Sequence, residues 1–193
     1  MVRPREFDEE KALDAAMQLF WEKGYDATSL SDLTSRMGIQ RPSIYSAFGD
    51  KEALFEAALR KYTKTHASHV RSKLQGKSSV RDAFRGFFEG LIADGYEGGP
   101  NRGCFCINTM VELAPHNEKF EVLTREHQMY LAAIFQEAIE SGVRSGELTI
   151  DTSPKALAQS FVISLIGLTV LLKARPDRLF VQNCVDSLLS SLK

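Results

Sequence analysis

The stretch Ser31–Phe48, which reads SDLTSRMGIQRPSIYSAF, decides the fold of the N-terminal part of the chain. It predicts a short helix that ends at Met37, a turn at Gly38 and a second short helix that begins near Arg41. Pro42 suits the first turn of that helix, because its missing N–H would have no helical partner there. Two short helices joined by a turn are typical of a helix-turn-helix, whose second helix enters the major groove of DNA. Surface helical hairpins show the same pattern, so the motif alone is a weak indication.

The side chains of this motif divide into an apolar and a polar set. Leu33, Met37, Ile39, Ile44 and Phe48 can pack the two helices against the preceding one. The polar set is then free to face outward. An arginine can pair with both acceptors of guanine, a glutamine can pair with adenine, and hydroxyl groups can donate to phosphates. The outward set consists of Gln40, Arg41, Ser43, Tyr45 and Ser46.

The rest of the chain also carries apolar residues at helical spacing. Leu13, Ala16, Met17 and Phe20 follow the i, i+3, i+4, i+7 rule behind Asp8, a suitable helix cap. Similar segments predict about nine helices, and no stretch alternates as a strand would. The expected fold class is all-α. We expect a long fourth helix from Asp50 to about Lys73, a seventh that ends at Ser141-Gly142, and an eighth that opens at Ser153-Pro154.

Composition restricts where the protein works and what it binds. The formal net charge is -1 at pH 7 and 44% of residues are hydrophobic, so a nonspecific nucleic-acid coat is not expected and any DNA binding must be local. The first residues lack the apolar core of a signal peptide, which predicts a cytoplasmic protein. The apolar run 161–172 is shorter than a bilayer span. Three cysteines and no export signal favour reduced thiols over disulfides.

Four segments of the N-terminal region together form a more specific motif: AAMQLF at 15–20, GYDATSL at 24–30, MGI at 37–39 and IYSAFGDKEALF at 44–55. With these segments, residues 7–55 resemble the DNA-binding head of TetR/AcrR-family regulators. The resemblance covers about a quarter of the chain. It implies a three-helix head that carries the helix-turn-helix and a larger helical body for ligand binding and dimerisation. The corresponding domains would be residues 1–50 and 51–193.

The resemblance also implies roles for individual residues of the head. Thr28, Tyr45 and Lys51 stand where members of the family commonly touch DNA phosphates, and residues 40–43 stand at the base-reading edge. Lys51 lies in the first turn of the fourth helix, where exposed N–H groups and the helix dipole favour an anion. The expected DNA-binding residues are therefore Thr28, Gln40, Arg41, Pro42, Ser43, Tyr45, Ser46 and Lys51.

The last two helices are too apolar for the exposed surface of one subunit. In TetR-like regulators the corresponding pair forms a four-helix dimer interface, which implies a homodimer that presents two recognition helices to half-sites roughly 34 Å apart. Burial within the core of one subunit is the alternative. The expected interface residues are Leu165, Leu168, Leu172, Phe180, Cys184 and Leu188.

A ligand pocket is expected among helices five to eight, although plain core packing would also explain most of its residues. Asn108 and Glu112 lie one turn apart in an apolar segment, which fits a few aimed polar groups in a pocket. Cys104, near a helix N-terminus beside Arg102, could have a lowered thiol pKa, with a buried inert thiol as the alternative. The candidate ligand-binding residues are Phe88, Cys104, Asn108, Glu112, His127 and Tyr130.

The sequence contains no phosphate-binding glycine loop, nucleophile elbow or paired zinc-binding motif. We therefore expect no enzymatic activity and no cofactor. His66, His69 and His116 could ligate a metal, but their spacing favours surface histidines. The hypothesis is a repressor that a small-molecule effector releases from a palindromic double-stranded operator. The alternatives are a redox or electrophile sensor acting through Cys104 and a helical protein-interaction adaptor.

Overall fold

The computed structural model describes residues 7–75, 79–97 and 101–193. Those ranges form nine α-helices and one 3-10 turn without any β-strand, which confirms the all-α prediction. The elements are α1 (Glu9–Lys23), α2 (Leu30–Met37), α3 (Arg41–Phe48), α4 (Lys51–Leu74), α5 (Val80–Tyr96), α6 (Phe105–Glu112), α7 (Glu118–Ser145), α8 (Pro154–Leu171), the 3-10 turn (Leu172–Ala174) and α9 (Arg178–Leu189).

The first three helices form the head, and local capping fixes their ends. The carboxylate of Asp8 accepts hydrogen bonds from the backbone N–H groups of Glu10 and Lys11 at the start of α1. Ser29 and Asp32 bond each other's backbone in a capping box at the start of α2. Gly38 ends α2 with a φ of 68°, a left-handed conformation that favours glycine. The predicted helix-turn-helix is therefore confirmed.

Two hydrophobic clusters, which we call the lower and the upper core, hold the molecule together. The lower core joins the head to α6 and the start of α7, and the upper core joins α5 to α7, α8 and α9. Helix α4 belongs to both: Phe55 and Leu59 lie in the lower core, and Val70 and Leu74 lie in the upper core. A domain boundary at residue 50 stays a prediction, because the lower core extends across it.

Helix α7 is longer than the sequence suggested. We expected it to end at Ser141-Gly142, but it continues to Ser145 and ends at Gly146, whose φ is 76°. Gly142 does not end the helix. It leaves room for Leu148, because a Cβ at this position would lie 2.6 Å from Cδ1 of that leucine. The missing side chain lets the segment after α7 fold back onto the helix, and the backbone N–H of Leu148 donates to the carbonyl of Gly142.

Helix α8 is the most apolar element. Together with the 3-10 turn it is the one described helix that is long and apolar enough to pass for a membrane span, with a mean hydropathy of 1.8 over its best window. Core helices of soluble proteins pass the same test. Here one side of α8 packs on α5 and α7 in the upper core.

We expect Gly142→Ala to lower the free energy of unfolding by about 1–3 kcal/mol, because the new methyl group overlaps Leu148. Thermal unfolding followed by circular dichroism measures the change. Gly90→Ala is the matched control: Gly90 lies in α5 with nothing within 4 Å of an added Cβ. That control should raise stability by up to about 1 kcal/mol through helix propensity. Equal effects of the two substitutions would contradict the packing role of Gly142.

Candidate functional sites

Helix α3 presents its polar residues to solvent. Its apolar residue Ile44 is fully buried in the lower core, whereas Tyr45 is 51% exposed although it is the next residue. Gln40, Arg41, Pro42 and Ser46 are also exposed and Ser43 is partly exposed, as the sequence predicted. The short helix therefore carries a continuous surface of hydrogen-bonding side chains on a rigid scaffold.

Lys51 lies beside this surface at the first turn of α4. Its ammonium group is 4.2 Å from the centre of the Tyr25 ring, a cation–π distance. Burial raises the pKa of the Tyr25 hydroxyl, and the nearby Glu52 and Asp50 add to that effect. The neutral phenol ring thus orients the lysine without cancelling its charge. Sequence reasoning found Lys51 but missed the supporting role of Tyr25.

Thr28 does not have the predicted exposure. Its side chain is fully buried, and its hydroxyl donates a 2.6 Å hydrogen bond to the carbonyl of Gly24. The expectation that this side chain touches a phosphate is therefore wrong. Thr28 instead fixes the turn between α1 and α2.

Two acidic residues of α1 form ion pairs with a lysine of α4. Lys61 of α4 lies 2.6 Å from the Asp14 carboxylate and 3.4 Å from that of Glu10. These ion pairs connect α1 to α4. Side-chain hydrogen bonding to Asp14 raises the pKa of Lys61.

Half of the predicted dimer-interface residues lie inside the subunit. Leu165, Leu168 and Leu172 are at most 8% exposed, because their side of α8 covers the upper core. Their assignment to the surface is wrong. Phe180 is 54% exposed, Cys184 is exposed and Leu188 is partly exposed, so their assignment to an interface stays a prediction.

An apolar surface nevertheless exists on the other side of the same helices. Ile163 is 70% exposed, and Val170 and Leu171 follow it on α8 at 45% and 38%. Leu179 and Phe180 extend the surface onto α9, and Gly167 leaves open space between Ile163 and Val170. We call these residues the α8–α9 surface. Its helical spacing was visible in the sequence, but the apolar content of α8 on both sides concealed which side was buried.

A half-open cavity of about 460 Å³ lies between α4, α5, α6, α7 and α8, with Trp21 of α1 at one wall. Cys104 and His127, two of the predicted ligand-binding residues, line it. Sequence reasoning missed Tyr62 and Gln128, and it assigned His66 to the surface. The signal for His66 was its position one turn after Tyr62 on the inner side of α4.

Two histidines form the polar centre of the cavity. Nδ1 of His66 lies 3.0 Å from Nε2 of His127, and His66 also stacks on Tyr62 with a centroid distance of 5.4 Å. Burial lowers the pKa of both histidines to about 4, and the proximity of His127 adds to the effect on His66. Both rings are therefore neutral near pH 7. No group of three or more potential metal ligands is present within the described residues.

The other four predicted ligand-binding residues lie elsewhere. Phe88 is fully buried in an aromatic cluster with Phe87 and Phe161. Tyr130 is 50% exposed and lines a separate open groove. The amide of Asn108 donates to the carbonyl of Arg102 and its oxygen accepts from Lys173. Their assignment to this cavity is wrong, as is that of Glu112.

Glu112 connects the body to the head instead. Its Oε1 accepts a 3.0 Å hydrogen bond from the backbone N–H of Asp26, and a Cβ on Gly24 would lie 2.9 Å from its other carboxylate oxygen. The indole N–H of Trp21 donates to the carbonyl of Gly103 at 3.1 Å. Both contacts tie the segment around α6 to α1 and to the turn that follows it.

Cys104 caps the N-terminus of α6, as expected, but its thiol is not activated. It is 8% exposed, and burial raises its pKa although the Tyr62 hydroxyl donates to the sulfur at 3.3 Å. The predicted lowering of this pKa is therefore wrong. Arg102, the expected source of the shift, forms a 3.2 Å ion pair with Glu22.

We expect the histidine pair to make the protein less stable in mild acid. Because the folded-state pKa values of about 4 lie below the ordinary value of 6.5, the unfolded chain binds more protons once the pH falls below about 6.5. The free energy of unfolding should fall by about 1–3 kcal/mol between pH 7 and pH 5. Urea titrations at a series of pH values measure this slope.

The variant His127→Gln should flatten the slope, since it removes one titrating ring. His116→Gln, in an exposed loop, is the control and should keep the wild-type slope. Hydrogen bonds from the backbone N–H and the hydroxyl of Ser29 lower the pKa of Asp32 to about 2. Asp32 therefore affects the free energy of unfolding only at lower pH. An unchanged slope in His127→Gln would show that the pair is not buried in its neutral form.

Family models match both parts of the chain. Residues 12–58 match the model described as bacterial regulatory proteins of the tetR family. Residues 76–186 match the tetracyclin repressor-like C-terminal domain. The second match alone covers more than half of the chain.

Similar proteins and structures agree with those models. The HTH-type transcriptional regulator YezE of Bacillus subtilis is 32% identical over 193 residues, covering all of both chains. The repressor ComR of Escherichia coli is 39% identical over 114 residues, which are 58% of this chain and 54% of ComR. A cysteine mutant of the TetR-family regulator CifR, complexed with 26 bp double-strand operator DNA, is 33% identical with a TM-score of 0.84, covering 98% of this chain and 99% of CifR.

These matches extend the resemblance seen in residues 7–55 to the whole chain. They also agree with the exposed polar surface of α3 and the all-helical body. The chain belongs to the TetR family of bacterial regulatory proteins and is a DNA-binding transcription regulator.

Proposed function

We propose that the protein is a transcriptional repressor that binds a palindromic operator as a homodimer and is released by a small-molecule effector. The observation that carries the proposal is the exposed polar surface of α3, from Gln40 to Ser46, on a buried apolar base. The similar protein ComR is a repressor, which supports repression over activation here. A cytoplasmic location fits this role.

Direct base reading falls to the N-terminal half of α3. Gln40 and Arg41 carry the side chains that pair with base edges, whereas Tyr45 and Lys51 suit phosphates. Gln40 makes no side-chain cap of its own helix, so its amide is available to a base. The CifR mutant with this fold is complexed with double-strand operator DNA, which supports the same mode here.

Dimerisation supplies the second recognition helix. Ile163, Val170, Leu171, Leu179 and Phe180 form an apolar surface that a second copy of the chain would cover. The family is dimeric, which supports this assignment.

Effector binding would act on the segment that borders the cavity and also holds the head. Cys104 and Ile107 line the cavity, while Gly103 and Glu112 of the same segment bond Trp21 and Asp26. A ligand that displaces α6 would therefore shift the head. Because ligand and DNA favour different arrangements of one body, each weakens the binding of the other.

The two alternatives have less support. A thiol sensor at Cys104 would need an activated thiol, but burial raises the pKa of this one. A protein-interaction adaptor would not need the polar surface of α3, and the chain's family is one of DNA-binding regulators. Nothing in the described residues favours an enzymatic site.

We expect Arg41→Ala and Tyr45→Ala to weaken binding to the operator beside the protein's own gene, Arg41→Ala by roughly tenfold to a hundredfold. Lys51→Ala should weaken binding to all DNA alike and reduce the salt slope by about 1. Fluorescence anisotropy with operator and scrambled duplexes measures both effects. Arg125→Ala, an exposed arginine on α7, is the matched control and should bind as wild type does. If Arg41→Ala kept the full preference for operator over scrambled DNA, α3 would not be the reading helix.

We expect Ile163→Asp to dissociate the dimer, because it places a charge in the apolar contact, with a loss of about a hundredfold or more in dimer affinity. Analytical ultracentrifugation measures the change. Val111→Asp on α6 is the matched control, since Val111 is 66% exposed and Ile163 is 70% exposed. Circular dichroism should show folded protein in both variants. A stable dimer in Ile163→Asp would place the interface on another surface.

A further inference from the structure

We propose that the effector is a neutral, largely apolar molecule with one hydroxyl group, which binds in the cavity with that hydroxyl against the His66–His127 pair. The inference rests on the proposed effector-responsive function and adds the chemical class of the effector. It follows from the walls of the cavity, from the hydrogen-bonding groups left over inside it, and from the charges around it.

The walls of the cavity are mostly apolar and come from six helices, α1 and α4 to α8. A volume of about 460 Å³ lies in the range of small-molecule pockets, which are mostly apolar with a few placed polar groups. Such walls stabilise a ligand in proportion to the apolar area that it buries. The apolar side chains that line the cavity include Trp21, Ile107, Leu131, Leu165 and Ile166.

The histidine pair offers one donor and one acceptor, whichever tautomer is present. The 3.0 Å contact between His66 Nδ1 and His127 Nε2 uses one N–H and one lone pair. In two neutral rings, the remaining nitrogens, Nε2 of His66 and Nδ1 of His127, are then one N–H and one lone pair. These two nitrogens lie at the outer ends of the pair, too far apart for one hydroxyl to reach both; because a hydroxyl can either donate or accept, it matches either nitrogen in either tautomer. Stacking on Tyr62 holds the His66 ring in place.

Gln128 adds an unmet acceptor at the same wall. Its carbonyl Oε1 is buried and has no hydrogen-bond partner in the part of the chain that the structure describes. The other end of the amide contacts only a weak acceptor, Sδ of Met110, at 3.6 Å. Buried carbonyl oxygens are normally paired, so an unpaired one beside the cavity suggests a ligand donor.

The charges around the cavity disfavour an ionic effector. Among the described lining residues, the charged ones are Asp94, Glu97 and Arg102, all exposed at its rim. Arg102 already binds Glu22 and Gln18. Burial lowers the pKa of both histidines, so the interior offers no cation for a carboxylate. A cationic ligand would likewise lose its hydration without gaining a buried carboxylate.

A matched set of probes tests the class of ligand: menthol, with a hydroxyl; menthone, with only a carbonyl; and menthanecarboxylate, with an anion on the same ring. Trp21 is the chain's one tryptophan and lines the cavity, so its fluorescence reports occupancy without DNA. We expect menthol to bind saturably, menthone to bind about tenfold more weakly through the loss of one hydrogen bond, and menthanecarboxylate not to saturate.

Two variants assign the preference to the histidine pair. The double variant His66→Phe/His127→Phe keeps a ring at both positions but removes all four nitrogens, so the preference for menthol over menthone should fall from about tenfold towards none. His69→Phe, an exposed residue at the same cavity, is the matched control and should keep the tenfold preference. A general loss of packing would weaken both probes equally and would not change their ratio.

Three fluorescence outcomes would overturn the proposed ligand class: no saturable binding of menthol, tighter binding of menthanecarboxylate than of menthol, or an unchanged menthol preference in His66→Phe/His127→Phe. Anisotropy with operator DNA is measured separately. Failure of the unliganded protein to bind any operator would refute the proposed repressor function, whereas the fluorescence result would still stand. Menthol that binds but leaves the DNA complex intact would refute the effector role of this chemical class.

Discussion

The structure depends on one constraint: a single continuous helix, α4, is buried at both ends in different cores. Its 24 residues span about 36 Å at 1.5 Å per residue, from Lys51 beside the recognition helix to Leu74 in the upper core. His66, at the cavity, lies about two thirds of the way along the helix. Because an α-helix is stiff, a displacement near His66 reaches Lys51 as a tilt of the whole helix, and both cores must accommodate it.

The second connection between cavity and head is polar. Cys104 and Ile107 face the cavity, and the same segment holds the head through Gly103 and Glu112. Hydrogen bonds of this kind depend on distance and direction, so they break with smaller shifts than a hydrophobic contact does. The apolar packing along α4 thus keeps head and body together, while the hydrogen bonds near α6 can break and form again. A two-arrangement regulator needs both properties.

Sequence patterns were sufficient for the fold and for the solvent exposure of most of the predicted DNA-binding residues. Caps such as Asp8 and Asp50, and Gly38 at the turn, act locally, so the chain itself displays them. The leucines of α8 were misassigned because their exposure depends on partners distant in sequence, in α5 and α7. The cavity was harder still. His66 and His127 are 61 residues apart, and only tertiary packing brings their rings together.

Glu112 has a consequence for how regulators of this shape can diversify. It grips the head through the main-chain amide of Asp26 beside a glycine, so the grip recognises the path of the backbone and no head side chain. Substitutions on the outer surface of α3 can therefore retarget the protein to a new operator without altering the joint. The outer surface of α3 and the contact with Glu112 therefore lie in separate parts of the head, and one can change while the other is kept.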